Sequence, residues 1–515
     1  MSRTFRAPAR RLGAATLALG VATSIILSAG NPASAATAAV TTTDPAQAAA
    51  SWLAGRLVDN TGKPSPTGNR FEDVYGGTGY YSGTSLDAVF ALAAAGVGTG
   101  KIAAILSYAA TTAAGPYANL DASQDQTGPY DGAVAKLALA ATVGGGDPRA
   151  FGGRDLIATL AADKCTAVTV GSYPSVPECP AIGAARNIYS SVQEAFVLLA
   201  QARAGVVAAA PELTFFLGLQ CPDGGFTTNT SATPTCVSDL DATSYAMFAL
   251  KALGGQSTAL GKAATWLAGQ RNAAGYWVSQ GGPNTDSTGL ATSALDLTGA
   301  DVSAPRAWLR SQQVTDGPTF GPTASRSALQ YLGTFDPAGS RKATADAIPG
   351  LIAGANLATL TVPANATAQL PVLPASGAVT HDRVVQGRSQ TVSGTGFSVG
   401  ETVTAVLHSA PVTVGTVTAN ATGTAALTFT VPKNTAAGAH QLVLTGAASG
   451  LSATVAFTVT AAAITPAPVI APAVSDPQLA ATGLDGHQLG RLSTLAGVLL
   501  LLGGGLLLVG RRRSA

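Results

Sequence analysis

Two carboxylic acids one residue apart, Asp239 and Asp241, open an apolar stretch that continues through Tyr245 to Leu253. Neighbouring acids polarise one another, so such a pair could deliver a proton to a weak base. The surrounding residues suggest another use. Ser238 and Asp241 form an S-x-x-D capping box, and acids in a first helical turn are favoured by the helix dipole. The pattern recurs at Thr84 with Asp87 and at Ser191 with Glu194, and a recurring cap, the preferred reading, accounts for a recurring acid. Aromatics gather before these stretches: Tyr75, Tyr80, Tyr81, Tyr117, Tyr130, Tyr189, Phe226, Tyr276 and Trp277, in a chain with only 6% aromatic residues. They either plug one end of a helical core or line a ligand cavity. Tyr80, Tyr81, Tyr130, Tyr189, Phe226, Asp239, Asp241, Tyr276 and Trp277 are the candidate ligand contacts. No residue is assigned a catalytic role.

Other chemistry is narrowed by what is missing. All four histidines, His381, His408, His440 and His487, lie beyond the Ala/Leu-rich first part, so neither a His-containing zinc site nor a Ser/His nucleophile can be assembled there. We assign no metal and no cofactor. A net charge of +2 over 515 residues offers no electrostatic footprint for nucleic acid. The four cysteines allow three connectivities; Cys165 with Cys179 and Cys221 with Cys236 are favoured, since each pair brackets a Pro/Gly/Ser/Thr-rich loop.

The elements that must position these groups form a repeat. Trp52-Leu53-Ala54-Gly55-Arg56, Phe216-Leu217-Gly218-Leu219-Gln220, Trp266-Leu267-Ala268-Gly269-Gln270 and Trp308-Leu309-Arg310-Ser311-Gln312 each close a helix, and a glycine/aromatic loop and a second helix follow. The period of ~40 to 50 residues is that of stacked helical hairpins. Weaker pairs near 101–113 with 128–142 and near 152–163 with 189–204 bring the number to six. Second helices such as Leu86 to Ala95 and Ala133 to Ala141 are nearly apolar all round and should form a buried inner ring.

The Gln-x-x-x-Gly-aromatic elements, Gln220 to Phe226 and Gln270 to Trp277, with acids opening the inner helices, resemble the terpenoid cyclase/prenyltransferase toroid superfamily. The resemblance implies an (α/α)6 toroid over residues 40–355, with loops framing a central cavity. The D-x-D-D acid of class II cyclases is broken here, because Ala242 stands at its last position. The Cys-Gly-Glu-Gln thioester of complement-like relatives is absent.

Residues 358–460 change to alternating Val/Thr/Ala runs, with strands expected at Thr402–Leu407, Val412–Val417, Ala425–Thr430 and Ala453–Val459. With the turn at Gly394-Thr395-Gly396-Phe397 and Gly400-Glu401, this stretch resembles bacterial immunoglobulin-like surface modules, which implies a β-sandwich spacer. An Ala/Pro-rich linker spans 461–478.

The two ends read as export and anchoring. Arg3, Arg6, Arg10 and Arg11 precede an apolar stretch and Ala33-Ser34-Ala35, a secretory signal over residues 1–35 with cleavage between Ala35 and Ala36. At the far end, 479–515, Leu479-Ala480-Ala481-Thr482-Gly483 precedes an apolar run over 492–510 and Arg511-Arg512-Arg513. The run matches the ~30 Å bilayer core as a C-terminal transmembrane helix. The order resembles LAxTG-type sortase substrates of Gram-positive bacteria, which implies a sortase and a peptidoglycan precursor as partners, attachment through Thr482, and membrane insertion only before sorting. The expectation is therefore a secreted, wall-anchored surface protein presenting a non-catalytic toroidal head to an unknown small-molecule or polymer ligand. The alternative is an extracytoplasmic cyclase- or lyase-like enzyme using Asp239, Asp241 and mouth tyrosines.

Overall fold

The computed structural model describes residues 38–72, 81–121, 128–169, 179–230 and 235–463. The signal segment, Tyr80, the motif at Leu479–Gly483 and the apolar run at 492–510 lie outside them. A helical N-terminal part is followed by a β-rich C-terminal part, as expected.

The described helices pair along the chain. They are α1 (Pro45–Ala54) with α2 (Thr84–Ala95); α3 (Thr99–Tyr108), running through a π-helical turn at Ala109–Ala113 into α4 (Ala114–Tyr117), with α5 (Asp131–Val143); α6 (Leu156–Ala162) with α7 (Ser191–Arg203); α8 (Ala210–Gly218) with α9 (Leu240–Leu253); α10 (Ser257–Gly269) with α11 (Thr285–Asp296); and α12 (Ser303–Ser311) with α13 (Gly339–Leu351). The second member of each pair packs on the next: α2 on α5, then α7, α9, α11 and α13, which returns to α2 and closes a ring. Burial follows the sequence pattern. Ser85 to Ala93 of α2 are all buried, whereas α10 buries only Ala263 and Leu267, and α12 only Pro305 and Leu309. Helices α11 and α13 approach so closely that a Cβ on Gly289 would lie 2.3 Å from Ala347 Cα. Only glycine fits that crossing.

Two small ladders, β1 (Phe226–Thr227) with β2 (Ser238–Asp239) and β3 (Val278–Ser279) with β4 (Gly282–Pro283), stitch outer to inner helices. Disulfides join Cys165 to Cys179 and Cys221 to Cys236, the pairing expected, with Cα separations of 5.4 and 5.5 Å. Such bonds are the chemistry of an extracytoplasmic, oxidising compartment.

The β-rich part holds β5 (Ser376–Val379), β6 (Arg383–Val385), β7 (Ser389–Thr395), β8 (Thr402–His408), β9 (Val412–Thr418), β10 (Ala425–Thr430), β11 (Gly438–Gly446) and β12 (Ser452–Thr460). They form a sheet ordered β10-β7-β5 and another ordered β6-β12-β11-β8-β9, antiparallel except for β6 beside β12. Alternation along β8 buries Val403, Ala405 and Leu407 in a core with Val392, Phe397, Leu442, Leu444 and Phe457. The four strands expected from sequence are β8, β9, β10 and β12; β5, β6, β7 and β11 were not marked. Arg326 ties the helical part to this one, donating to the carbonyls of Thr395 at 3.0 Å and Pro374 at 2.7 Å. A Cβ on Gly396 would fall 1.8 Å from the Arg326 guanidinium, and the residue sits at φ 97°. The Gly-Thr-Gly turn is thus a seat for the arginine. Among the described residues, no helix is long and apolar enough to cross a membrane.

Candidate functional site

The capping reading of the acids needs correction. The N-cap of α9 is Asp239, whose Oδ1 accepts the Ala242 N–H at 2.9 Å. Ser238 is instead engaged in the β1–β2 ladder and donates its hydroxyl to Asp223 at 2.6 Å. At α7 the capping box is Ser190 with Gln193, not Ser191 with Glu194. At α2 no side chain caps the helix. An S-x-x-acid pattern fixes only a spacing, and here strand pairing decides which residue takes the cap.

Freed from capping, the acids turn inward. Asp87 meets Lys136 at 2.7 Å and Lys342 at 3.9 Å; Lys342 also reaches Asp286 at 3.8 Å and pairs closely with Asp346. Burial alone would lower the Lys342 ammonium pKa, but Asp286, Asp346, Tyr245 and Asp87 raise it well above the ordinary lysine value. Burial, with Asp286 nearby, pushes the Asp346 carboxyl up to about 7. Asp241 rises to about 6, by burial and then by the charge of Asp239, and its Oδ1 has no hydrogen-bond partner. Across the ring, burial and the charge of Glu212 lift Glu194 to about 7, although its Oε2 accepts the Ala185 N–H at 3.1 Å.

The aromatic candidates separate. Phe226 and Trp277 are fully buried, so they are core and do not border a mouth. The cause is a clasp that sequence reasoning missed. An inner-helix hydroxyl accepts the N–H of the loop residue before it: Ser85 from Phe71 at 2.8 Å, Thr243 from Phe226 at 2.8 Å, Thr288 from Trp277 at 3.1 Å and Thr344 from Leu329 at 2.9 Å. Each clasp pins an apolar side chain inward, and Trp277 completes its wetting need by donating Nε1–H to Leu267 O at 2.8 Å. The signal in the sequence is the hydroxyl residue in the opening turns of α2, α9, α11 and α13. Tyr81 packs between Tyr108 and Tyr117 with its hydroxyl buried, and burial first, then Tyr117, raises its pKa. Tyr276 lies against Trp308 at 5.1 Å. Tyr130 is anchored through its N–H to Ala118 O, and Tyr189 is 49% exposed. Among the described residues, none of these candidate aromatics lines the cavity walled by Phe71, Tyr331 and Arg341.

A different set of residues does. That cavity, of about 450 Å³, is lined by Phe71, Glu72, Asp286, Tyr331, Asp336, Arg341 and Lys342, with Ser82 and Thr84 at the start of α2. Arg341 lies over the Phe71 ring at 5.4 Å, a cation–π contact, and Glu72 is held by Arg70 at 2.8 Å. Beneath it, among Asp87, Phe90, Tyr245, Phe248 and Asp346, the open volume shrinks to about 20 Å³. That is room for little more than one water. Between these residues the ring leaves no room for a ligand, whereas the cavity at Phe71, Tyr331 and Arg341 does. The charged residues on α13 were not singled out from sequence, yet a base on a helix buried in a ring must find acids. Among the described residues, no cluster of His, Cys, Asp or Glu is arranged to hold a metal.

No protein-family model and no curated protein matches the chain. Among solved structures it is similar to the type II terpene cyclase MstE from Scytonema, in complexes with geranylgeranyl dihydroxybenzoate as substrate and with merosterolic acid A as product. Each likeness has 13% identity and a TM-score of 0.38, covering 61% of this chain and 97% of that one. A further likeness, to the sporulation control protein Spo0M of Bacillus subtilis, has a TM-score of 0.14 and covers 18% of this chain and 49% of the other.

Proposed function

We propose that the chain is a wall-anchored surface protein whose (α/α)6 toroid is a non-catalytic binding head on an immunoglobulin-like spacer, with its ligand at the mouth cavity. The observation that carries the reading is the contrast between a mouth of about 450 Å³, walled by Arg341, Lys342, Asp286 and two aromatics, and the space among Asp87, Phe90, Tyr245 and Phe248, which is open to only about 20 Å³. A cavity with both signs of charge and aromatic walls suits a small polar ligand bearing both an anionic and a cationic group. Tyr331→Ala combined with Arg341→Gln should cut ligand retention by about tenfold or more, equivalent to ~1.4 kcal/mol, with the fold kept. Mass spectrometry of compounds recovered with the wild-type and variant proteins checks this, and equal recovery would end the reading. Anchoring is tested separately: muramidase-released protein should carry cross-bridge fragments on Thr482, and Thr482→Ala should remain with the membrane fraction.

The second reading, an extracytoplasmic enzyme using Asp239 and Asp241, is favoured by the raised carboxyl of Asp241. Against it stands the use of Asp239 as a helix cap. An Asp241→Asn protein that folds normally but loses turnover of an isoprenoid or glycan would put the enzyme in place of the receptor.

A further inference from the structure

The β-rich part carries a group of side chains that neither the mouth nor the spacer role uses. Strand β8 ends at His408, and exposed Ser409 follows in the turn to β9. On β11, His440 is buried to 6% exposure, with its ring against Phe457, its partner across the β11–β12 ladder. His440 Nε2 lies 2.8 Å from the carbonyl oxygen of Ala436. A carbonyl can only accept, so Nε2 carries the proton. In the neutral imidazole this leaves Nδ1 with a free lone pair, and Ser409 Oγ is its close hydrogen-bond partner. The single serine hydroxyl proton thus has two competing acceptors, Nδ1 and the His408 carbonyl at 2.6 Å, and attack on a substrate uses the orientation toward Nδ1. A nucleophile touches a base, and the base is oriented by a third group. The relation is that of a catalytic triad with the ring nitrogens exchanged and a backbone carbonyl in the place of the carboxylate.

Ser409 and His440 also border a cavity of about 250 Å³, shared with Leu407, Val412, Pro432 and Asn434. Its apolar walls accept a short acyl group, and Asn434 brings a side-chain amide that can donate to an oxygen of developing negative charge.

We propose that Ser409 and His440 form a serine acyl-transfer site acting on small carboxylic esters. Ser409 Oγ bonds to the ester carbonyl carbon as its proton passes to His440 Nδ1, giving a tetrahedral oxyanion beside Asn434. The C–O bond to the alcohol then breaks, and the leaving alkoxide takes the proton from Nδ1. Water repeats the sequence on the acyl-serine, giving its proton to Nδ1, and Ser409 recovers that proton as the free acid leaves. The sum is ester plus water to acid plus alcohol, with no oxidation or reduction.

The test uses the full chain, with p-nitrophenyl acetate as substrate and a fluorophosphonate as serine-directed label. The expected result is one adduct mapped to Ser409, with acetate release that disappears in Ser409→Ala. In His440→Gln, whose amide can still donate to the Ala436 carbonyl, labelling should fall by about 100-fold or more, the usual share of a general base. Label spread equally over exposed serines such as Ser452, or Ser409 labelling untouched by His440→Gln, would overturn the proposal and leave the pair as a structural hydrogen bond. If His440→Gln fails to fold, Ser409→Ala decides, because its exposed turn position spares the core: turnover equal to wild type overturns the site.

Discussion

The two parts of this protein bury acids in opposite ways. In the β-rich part, Glu401 sits in the core at 6% exposure, and its carboxylate accepts the N–H groups of Ser398, Ala448 and Ser449 at 2.6, 2.9 and 2.8 Å. In the helical ring, Asp87, Asp131, Glu194 and Asp241 each leave a buried carboxyl oxygen without a hydrogen-bond partner. The three donors to Glu401 are backbone N–H groups of turns folded onto one carboxylate, while the ring acids sit in the first turns of helices and each keep one oxygen that meets no donor. Ring acids therefore meet fewer backbone donors, one N–H each for Glu194 and Asp131, and lean further on lysines or on holding a proton. The ring should then lose stability when its acids ionise, and the β-rich part should lose it when its acid is removed.

The largest expected effect follows from removing Glu401. Glu401→Ala strips three buried N–H groups of their acceptor and should cost on the order of 3 kcal/mol or more, read as a lowered denaturant midpoint. Glu194→Ala deletes a ring acid with one such N–H partner and should cost less at pH 8. Equal losses at the two positions would erase the contrast.

Next in size is the dependence on pH. Glu194 rises from an ordinary 4.5 to about 7, and Asp346 and Asp241 are raised in the same sense, to about 7 and about 6. Between these limits the folded ring keeps protons that the unfolded chain has released. Stability should therefore fall as pH rises from the ordinary carboxyl values, 3.8 for the aspartates and 4.5 for Glu194, through 7. Lys342 acts outside this window, since a raised ammonium loses its contribution only above the ordinary lysine range. Glu194→Gln should flatten the slope by on the order of 2 kcal/mol across the window, measured by chemical denaturation at half-unit steps. A slope unchanged by the substitution would mean that Glu194 is ionised throughout.

Legibility in the sequence followed the length of the pattern. The hairpin repeat extends over hundreds of residues, so Leu86 to Ala95 and Tyr245 to Leu253 could be marked as inner helices close to their observed bounds. Alternation gave β8 and β12 for the same reason. What failed rests on one residue at a time. The motif that marked Trp277 as a loop aromatic could not say that the Thr288 hydroxyl holds its N–H and turns the ring inward. Lys342 on α13 carries no local signal of its partners, because Asp87 and Asp286 reach it only through ring closure. Ser409 and His440 stand 31 residues apart and meet only through the pairing of β8 with β11, which spacing alone does not reveal.

The smallest effect separates two acids that sequence treated as a pair. Asp239 accepts the Ala242 N–H at the start of α9, so Asp239→Ala should cost about 1 kcal/mol, the usual worth of an N-cap. Asp241 makes no such bond, and burial holds its carboxyl near 6, so at pH 7.5 it carries a charge whose Oδ1 lacks a hydrogen-bond partner. Asp241→Asn removes that charge, keeps the volume, and should leave stability equal or slightly higher at pH 7.5. At pH 5 the native carboxyl is already protonated, and the advantage should vanish. Melting temperatures of both variants at the two pH values decide the matter. If Asp241→Asn lost as much as Asp239→Ala at both, Asp241 would be the cap after all, and the ring's acids would be satisfied in the same way as Glu401.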